Sequence, residues 1–400
     1  MAAERLERQD WALALQHLIA MFGATVLVPM LTGLNVSVAL YTAGVGTLVF
    51  HWVTGGKAPV FLGSSFAFIA PIILARDNFG LAYATGGIVA AGVVYLLMSG
   101  LVAITGPGIV RKLFPPVVTG PVIVTIGLTL APVAKDMASV DWATALFTIG
   151  VTVIALTFLR GYFKLLPILT GVTAGYLFAA ARGLVDFSQI TAANWVAIPD
   201  FILPAFSWEA IGIVAPLALV TMIEHIGDME ANGAVIGRDL IKDPGLHRTL
   251  LGDGLATMIA GFFGGPANTT YSENTGVLAI TKVYKPHILR ITAVLAIILA
   301  FFGKFGALIA SIPGPVMGGI SIILFGMIAA VGLRQLVENN VDLKLNRNQL
   351  IVATTLVFGI SGAELKIIGD LQLVGMSLAA VVGVILNQLL PVEEKAKQQQ

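Results

Sequence analysis

The sequence predicts an all-α polytopic membrane protein, and three observations carry that prediction. Of its 400 residues, 57% are hydrophobic and only 11% are charged, and its mean hydropathy is +0.92, which is too apolar for a soluble domain. Apolar stretches long enough to cross a bilayer recur along the whole chain. Two of these stretches are short and interrupted by polar residues, which is typical of transporters whose binding sites lie at broken helices.

Fourteen segments are predicted to cross the membrane, because each is a predominantly apolar run of roughly 20 residues or a shorter run between polar loops. The first follows a polar N-terminus and is too long for the core of a signal peptide, so it is expected to be retained. In order, the segments are 12–32, 38–55, 60–75, 81–104, 117–134, 143–159, 165–181, 209–229, 247–264, 268–283, 287–310, 314–333, 348–362 and 371–390.

The distribution of basic residues predicts the orientation of these segments. Lys and Arg concentrate in cytoplasmic loops of membrane proteins. If both termini are cytoplasmic, eighteen of the 23 basic residues fall on that side and five on the other. The five are Arg76, Lys135, Arg182, Lys304 and Lys366. This bias favours an even number of crossings with both termini in the cytoplasm.

The longest outward connection, residues 183–208, divides the segments into seven and seven, and we expect it to be a loop with an interfacial helix. An odd number of crossings per half predicts two halves inserted in opposite orientations, an inverted repeat. The third segments of the halves carry GSSFAF (63–68) and NTTYSEN (268–274). In each, two small hydroxyl residues precede an aromatic one, so Ser64 to Phe66 is matched with Thr269 to Tyr271.

Segments 3 and 10 are predicted to contain short antiparallel strands, each followed by a half-helix. Gly and Pro precede both polar clusters and stop a helix there. Non-helical backbone at membrane depth is tolerated only where it is buried in protein or lines a cavity. The N–H groups at the start of a half-helix can then face a ligand. The alternative is a full helix with a kink.

Ionisable residues inside predicted segments indicate function, because a charge at bilayer depth is costly. We identify them as His17, Glu224, His225, Asp228 and Glu273, with Glu230 near the end of a segment. Glu224 and Asp228 are four residues apart, so they share one helical face. Since desolvation and mutual repulsion both disfavour the charged form, at least one of the two is expected to hold a proton near neutral pH. Proton binding and substrate entry can be coupled in such a setting.

A structural role is the alternative for several of these side chains. His225 points away from Glu224 by about 100° of helical rotation, which favours packing. His17 opens the first segment and could lie at the membrane interface or bond a neighbouring helix. Asp228 could bind a backbone amide or a lysine. Glu230 is expected to be a solvated acid.

Composition argues against several other classes of protein. The balance of 23 basic and 22 acidic residues gives no basic face for nucleic acid, and the absence of cysteine excludes thiolate metal sites. We find no metal-ligand cluster, nucleophile–base pair or phosphate-binding loop, so neither an enzyme nor a cofactor is expected. A passive channel would need a continuous polar pore in place of two isolated polar clusters.

Six stretches of the sequence carry a resemblance to a known family: QHLIAMFGATVLVP (16–29), FLGSSFAFIAPI (61–72), IEHIGD (223–228), DPGLHR (243–248), NTTYSENTGV (268–277) and PGPVMGGISIILFG (313–326). They are similar to the nucleobase–ascorbate transporter family, also called nucleobase:cation symporter-2, and within it to the bacterial uracil permeases. The resemblance implies fourteen spans in a seven-plus-seven inverted repeat. A core domain would comprise 1–110 and 209–312, and a gate domain 111–208 and 313–400.

The resemblance also implies a function, a location and an assembly. The chain is expected to be a secondary active transporter in the bacterial cytoplasmic (inner) membrane, importing uracil by alternating access. It would use no cofactor, with the proton as coupling ion, and would form a homodimer through the gate domain within the lipid bilayer. The alternatives are a purine (xanthine or urate) or broader nucleobase proton symporter, an anion exchanger of the same fold, and a passive channel.

The same resemblance assigns site residues. Glu224 and Glu273 would accept hydrogen bonds from the ring N–H groups of uracil, and the backbones of Phe66 and Ser272 would meet its carbonyl oxygens. Ala24 would pack near the ring. Tyr271 and Phe325 complete the predicted substrate site, His17, His225 and Asn274 are predicted to support it, and Glu224, Asp228 and Glu273 are predicted to couple the proton.

Three positions depart from the pattern of the best-known uracil permease. Ser272 replaces a glycine, Asp228 replaces a histidine implicated in proton coupling, and Phe325 replaces a tyrosine that faces the substrate. Purine-transporting relatives usually carry glutamine at the position of Glu273. The acid therefore favours a pyrimidine. The two acids also argue against an anion exchanger, which would be expected to place a cation or an empty half-helix junction at the site.

Overall fold

The computed structural model describes residues 7–160, 166–368 and 371–391, so the outermost residues of both predicted cytoplasmic ends lie outside it. The helices of the described residues are α1 Arg8–Thr32, α2 Val36–Val53, α3 Ile69–Phe79, α4 Leu81–Thr105, α5 Gly108–Leu113, α6 Pro116–Thr129, α7 Ala131–Ser139, α8 Trp142–Phe158, α9 Pro167–Ala181, α10 Ser188–Ala192, α11 Trp208–Val214, α12 Ala218–Ile236, α13 Leu246–Phe263, α14 Ser272–Thr281, α15 Pro286–Ala300, α16 Gly303–Ala310, α17 Gly314–Glu338, α18 Asn346–Ser361 and α19 Met376–Leu389. The strands are β1 Leu62–Ser64, β2 Asn268–Thr270, β3 Glu364–Ile368 and β4 Leu371–Val374.

Six helical segments of the described chain are long and apolar enough to cross a membrane. They are Arg8–Thr32, Val36–Val53, Leu81–Thr105, Pro116–Ser139, Trp208–Ile236 and Gly314–Glu338. This confirms the mainly helical, polytopic membrane class. The other predicted crossings coincide with shorter helices, among them α8, α9, α15 and α19, or with the strand-interrupted segments. The count of fourteen, in two sets of seven, stays a prediction.

The strands predicted in segments 3 and 10 are present, and they pair with each other. β1 and β2 are antiparallel, with Leu62 opposite Thr270, Gly63 opposite Thr269 and Ser64 opposite Asn268. A 3₁₀ turn, Phe66–Phe68, leads from β1 into α3, and α14 begins directly after β2 at Ser272. Both segments are therefore a strand followed by a half-helix, and the alternative of a kinked full helix is wrong.

The register of the pair corrects the predicted match between the two segments by one residue. The local two-fold axis of the antiparallel pair passes between Gly63 and Thr269. It therefore relates residues that follow Gly63 and Thr269 by the same number of positions. Two further backbone bonds follow the same rule, from Ser65 N to Ala267 O (2.9 Å) and from Tyr271 N to Phe61 O (3.0 Å). Phe66 is thus equivalent to Ser272 and not to Tyr271, because the backbone and not the likeness of the hydroxyl side chains sets the pairing.

The helices around the strand pair approach closely because small residues lie at their contacts. At the crossing of α4 and α13, Gly92 and Gly254 face each other: a Cβ on Gly92 would lie 2.8 Å from the Gly254 carbonyl oxygen. Such contacts favour helix association in lipid, where apolar burial gives no preference for protein over acyl chains. α13 packs against α2 and α4, and α17 packs against α6. Because α2 also contacts β1, α13 also contacts β2, and the strand residues are buried, the strand pair lies inside the bundle.

Two regions differ in detail from the sequence-based expectation. The predicted segment 371–390 begins with β4, which pairs antiparallel with β3 in a hairpin, and its helix begins only at Met376. The connection 183–208 contains the expected short helix, α10, and an extended stretch. That stretch donates backbone hydrogen bonds to residues at the ends of other helices, from Ala197 N to Phe301 O (2.9 Å) and from Ala205 N to Ala82 O (2.9 Å).

Candidate substrate site

The starts of the two half-helices face one cavity. Phe66, which begins the turn after β1, and Ser272, the first residue of α14, both line a space of about 560 Å³. The first N–H groups of a helix have no partner within that helix, and the helix dipole places partial positive charge on them. The cavity therefore has hydrogen-bond donors from two directions, and its volume is in the range of about 300–1,000 Å³ typical of small-molecule sites.

Glu224 and Asp228 line the same cavity from α12, separated by Gly227 on the wall. Their spacing of one helical turn places both carboxylates on one face, as the sequence predicts. Glu224 lies deep in the protein, but its side chain is open to the cavity. The rest of the wall is mainly apolar and includes Ile123, Ile126, Val220, Ile223, Ile328 and Val331.

Glu273 faces an adjoining cavity of about 270 Å³, which α14 shares with α8, α9 and α17. Ser272 lines both cavities, so the cavity of Glu224 and the cavity of Glu273 share one wall residue. The Ser272 side chain is exposed and that of Glu273 is half-buried. The described structure thus brings Phe66, Ser272, Glu224 and Asp228 to one space and Glu273 to the next.

Asp228 is held by β2. Its Oδ2 accepts a hydrogen bond of 2.6 Å from the Thr270 hydroxyl. The sequence-based alternatives for Asp228 were a backbone amide or a lysine as partner, and the structure shows a threonine. This contact connects the helix that carries Glu224 with the strand that leads into α14.

Tyr271, Ala24 and Phe325 lie behind the cavity walls. The Tyr271 hydroxyl accepts a bond from Thr25 (3.2 Å) and donates to the Ser64 carbonyl (3.0 Å). Ala24 packs in the same buried cluster as Tyr271, and Phe325 packs in a second cluster. The Phe66 ring packs against both clusters, so these three residues support the ring without lining either cavity.

The predicted supporting residues each contact a polar neighbour. The Asn274 amide bonds the His17 ring nitrogen Nδ1 and the His17 carbonyl, both at 3.1 Å, and thereby ties α14 to α1. His225 points away from the cavity and lies 3.4 Å from Asp253, with both side chains fully buried. The backbone and the ring of His17 therefore help to fix the half-helix.

Asp253 was missed by the sequence analysis, which omitted it from the acids inside predicted segments. It lies in α13, within the apolar run of segment 247–264, and is completely buried. Next to it, the Tyr95 hydroxyl donates to Thr221 on α12 at 2.7 Å. A single acid between glycines in LGDGLATM was the available signal, and it has the same character as the signal that identified Glu224.

Comparisons with known proteins identify the family of the chain. A family model described as the permease family matches residues 8–368. The chain is 50% identical to a uracil permease of Bacillus caldolyticus, covering 95% of this chain and 91% of the relative. It is 46% identical to a uracil permease of Bacillus subtilis strain 168 (97% and 93%) and 43% identical to one of Escherichia coli K12 (95% and 90%).

Solved structures with little sequence similarity share the fold. The transmembrane domain of a cyanobacterial bicarbonate transporter, BicA, superposes with a TM-score of 0.63 at 14% identity, covering 95% of this chain and 97% of that one. Murine solute carrier 26 family member A9, an anion transporter in the inward-facing state, gives a TM-score of 0.68 at 11% identity, with coverages of 96% and 69%. These similarities establish a membrane transporter fold.

Proposed function

The chain belongs to the permease family together with the bacterial uracil permeases, and from that premise we propose that it imports uracil with protons across the bacterial inner membrane. Membership of a family of permeases confirms the prediction of a transporter and not an enzyme. The observation that carries the proposal is the cavity in which two half-helix starts meet a carboxylate, with a second carboxylate beside it.

The groups around Ser272 complement the edge of a pyrimidine. Uracil offers two ring N–H donors and two carbonyl acceptors. Glu224 and Glu273 would accept from the N–H groups, while the backbone N–H groups of Phe66 and Ser272 would donate to the carbonyls. Because Ser272 lines both cavities, a base bound against it would meet both acids.

The acids on α12 supply a place for the coupled proton. Glu224 and Asp228 share one cavity, so substrate and proton binding would influence each other there. A membrane potential of 100 mV adds about 2.3 kcal/mol per proton, which corresponds to roughly fiftyfold accumulation. One proton for each uracil is therefore enough to drive uptake.

We place the site between two domains that move against each other. In the proposed arrangement of fourteen spans in an inverted repeat, α12, α14 and the strand pair belong to the core domain, and α6, α8, α9 and α17 to the gate domain. Both cavities have walls from both sets, which supports alternating access around a site at the domain boundary. A homodimer through the gate domain is part of the same proposal.

The larger cavity extends from the half-helix starts to Arg334 and Glu338, an exposed pair at the end of α17. With both termini in the cytoplasm, as the basic residues predict, this end of the cavity faces the cytoplasm. The described conformation would then be the one that releases uracil into the cell.

Uptake of labelled uracil into proteoliposomes, with and without an imposed pH gradient, tests the proposal. We expect accumulation only with the gradient inside-alkaline, whereas a channel would equilibrate uracil in both cases. Glu224→Gln and Glu273→Gln should each weaken uracil binding by about tenfold to a hundredfold, since each removes a charge-assisted hydrogen bond. Glu230→Gln, on the same helix but outside both cavities, is the matched control.

Competition fixes the substrate class. Thymine and 5-fluorouracil should compete with uracil if the site accepts pyrimidines, whereas stronger competition by xanthine would establish the purine alternative. Unchanged uracil affinity in both glutamine variants would contradict the site assignment.

A further inference from the structure

A short hydrogen bond joins the Thr270 hydroxyl to the Asp228 carboxyl group. At 2.6 Å it lies in the range of about 2.5–2.7 Å found for a hydroxyl that donates to a carboxylate. Thr270 is buried, with 4% of its surface exposed. The hydroxyl therefore has little water to bond, and its natural acceptor is the carboxylate 2.6 Å away.

Thr270 is also part of the backbone that builds the substrate site. It ends β2, where it pairs with Leu62 of β1, and only Tyr271 separates it from Ser272 at the start of α14. Buried, closely packed elements transmit small displacements because they deform little. If the hydrogen bond that holds Thr270 weakens, the resulting shift therefore reaches the N–H groups and the Glu273 carboxylate at the start of α14.

The surroundings of Asp228 make this donor important. Three other acids lie near Asp228, namely Glu224 on α12, Glu273 on α14 and Asp253 on α13, and the Arg334–Glu338 pair of α17 lies at the far end of its cavity. The buried His225 of α12 points away from that cavity and lies 3.4 Å from Asp253. The near neighbours are mainly acids, and the one arginine of the cavity is already paired. The ionised form of Asp228 therefore depends strongly on the Thr270 hydroxyl.

Resting on the proposed proton-coupled transport, we propose that Thr270 is the positioning residue that links protonation of Asp228 to the substrate-binding start of α14. While Asp228 is ionised, the hydroxyl donates to it and holds the end of β2 against α12. When a proton arrives, the bond loses its charge assistance, which accounts for about half of its strength. The end of β2 and the first turn of α14 are then released to adjust to uracil.

Infrared titration of purified protein tests the link without any substrate. The carbonyl band of protonated Asp228 is assigned as the difference between the wild-type spectrum and that of Asp228→Asn. In Thr270→Val, which keeps the shape and removes the hydroxyl, the ionised carboxylate loses its donor. The band should then persist to higher pH by about one unit, equivalent to a tenfold change in proton affinity.

Two variants control for packing. Thr270→Ser keeps the hydroxyl and should titrate like the wild type. Thr269→Val makes the same substitution one residue earlier, at a position that is equally buried and whose hydroxyl has no hydrogen-bond partner among the described residues, so it should leave the band unchanged. If Thr270→Val does not fold, Thr270→Ala is measured in the same way.

Uracil uptake against pH tests the consequence for transport. The alkaline limb of the uptake profile should move to higher pH by about one unit in Thr270→Val and stay in place in Thr269→Val. Superposed infrared titrations of Thr270→Val and the wild type would overturn the proposal. A wild type that titrates as expected but carries no uracil would instead contradict the proposed function, so the two failures are distinguishable.

Discussion

The two interrupted segments have one backbone geometry but different chemistry. They pair through Gly63 and Thr269, and their helical turns begin at the equivalent residues Phe66 and Ser272. Both therefore direct the N–H groups of a first helical turn towards the same cavity. The backbone donors of the candidate site are thus present twice, by local two-fold symmetry.

The side chains break that symmetry. Where the second segment has Glu273 and Asn274, the first has Ala67 and Phe68, both buried in the apolar core. Only the second segment contributes an acid, and only its first turn is tied to α1 through His17. We infer that the symmetric backbone fixes the position of a flat ligand, and the asymmetric side chains fix which of its edges is recognised.

The substitution with the largest expected effect on stability lies at the centre of the strand pair, where Gly63 opposes Thr269. A Cβ on Gly63 would lie 2.5 Å from Cζ of the Tyr271 ring, which is fixed by bonds to Thr25 and Ser64. Gly63→Ala should therefore destabilise the protein by about 1–3 kcal/mol through overpacking. Uracil binding should fall with it, because the ring adjoins the start of α14.

Thr269→Ala is the matched change on the other strand. Its hydroxyl has no hydrogen-bond partner among the described residues, so the substitution removes little beyond one buried methyl group. Thermal unfolding in detergent and uracil affinity should be measured for both variants. Equal losses would show that the two strands are equally packed and that the asymmetry lies elsewhere.

A smaller effect on stability is expected two residues further along each strand, at the equivalent positions Ser65 and Tyr271. Tyr271→Phe removes one bond from Thr25 and one to the Ser64 carbonyl, and should reduce stability by about 1 kcal/mol. Ser65→Ala should be nearly neutral, since the buried Ser65 hydroxyl has no hydrogen-bond partner in the described chain. Denaturant unfolding of the two variants side by side checks the difference, and a larger loss in Ser65→Ala would reverse the comparison.

Much of the fold was predictable because its signals are local. Apolar runs of sufficient length predicted the six helical segments of the described chain that are long and apolar enough to cross a membrane, and Gly and Pro before hydroxyl residues predicted the two strands. The register was off by one residue, since side-chain likeness does not report which backbone groups pair. The hairpin of β3 and β4 was missed because β4, LQLV, adjoins an apolar helix and reads as its first turn.

For the site, the spacing of residues along one helix was predictable from the sequence, but the contacts between different helices and strands were not. The four-residue interval between Glu224 and Asp228 is enough to place both on one wall of the cavity. The bond from Thr270 to Asp228 joins residues 42 positions apart, and the approach of His225 to Asp253 depends on how α12 packs on α13. Such partners are fixed by tertiary packing, which a single sequence does not encode in a readable pattern.

The smallest effect on stability is expected for substitutions in the loops that lead into β1 and β2. The loop before β1 is fastened by an ion pair of Lys57 with Asp243, which also lies 3.3 Å from Arg238. The loop before β2 is fastened by backbone bonds, such as Gly265 N to Ala260 O at 2.7 Å. Lys57→Met should therefore slightly lower the free energy of unfolding. Substitutions of side chains in the loop before β2 should change it without a contribution from ion pairing.

The effect of Lys57→Met should depend on pH and salt with a defined sign. Lys57 beside Asp243 holds the pKa of that carboxyl below its usual value of 3.8, with a smaller contribution from Arg238. Because the folded-state pKa is depressed, the pair stabilises the fold above the ordinary aspartate pKa and loses this contribution as pH falls through the lowered value. Unfolding midpoints of wild type and Lys57→Met should differ at pH 7 and converge in acid, once the pH has fallen below the lowered pKa of Asp243. They should also converge at high salt because both side chains are largely exposed. A difference that persists in acid would show that Lys57 acts by packing.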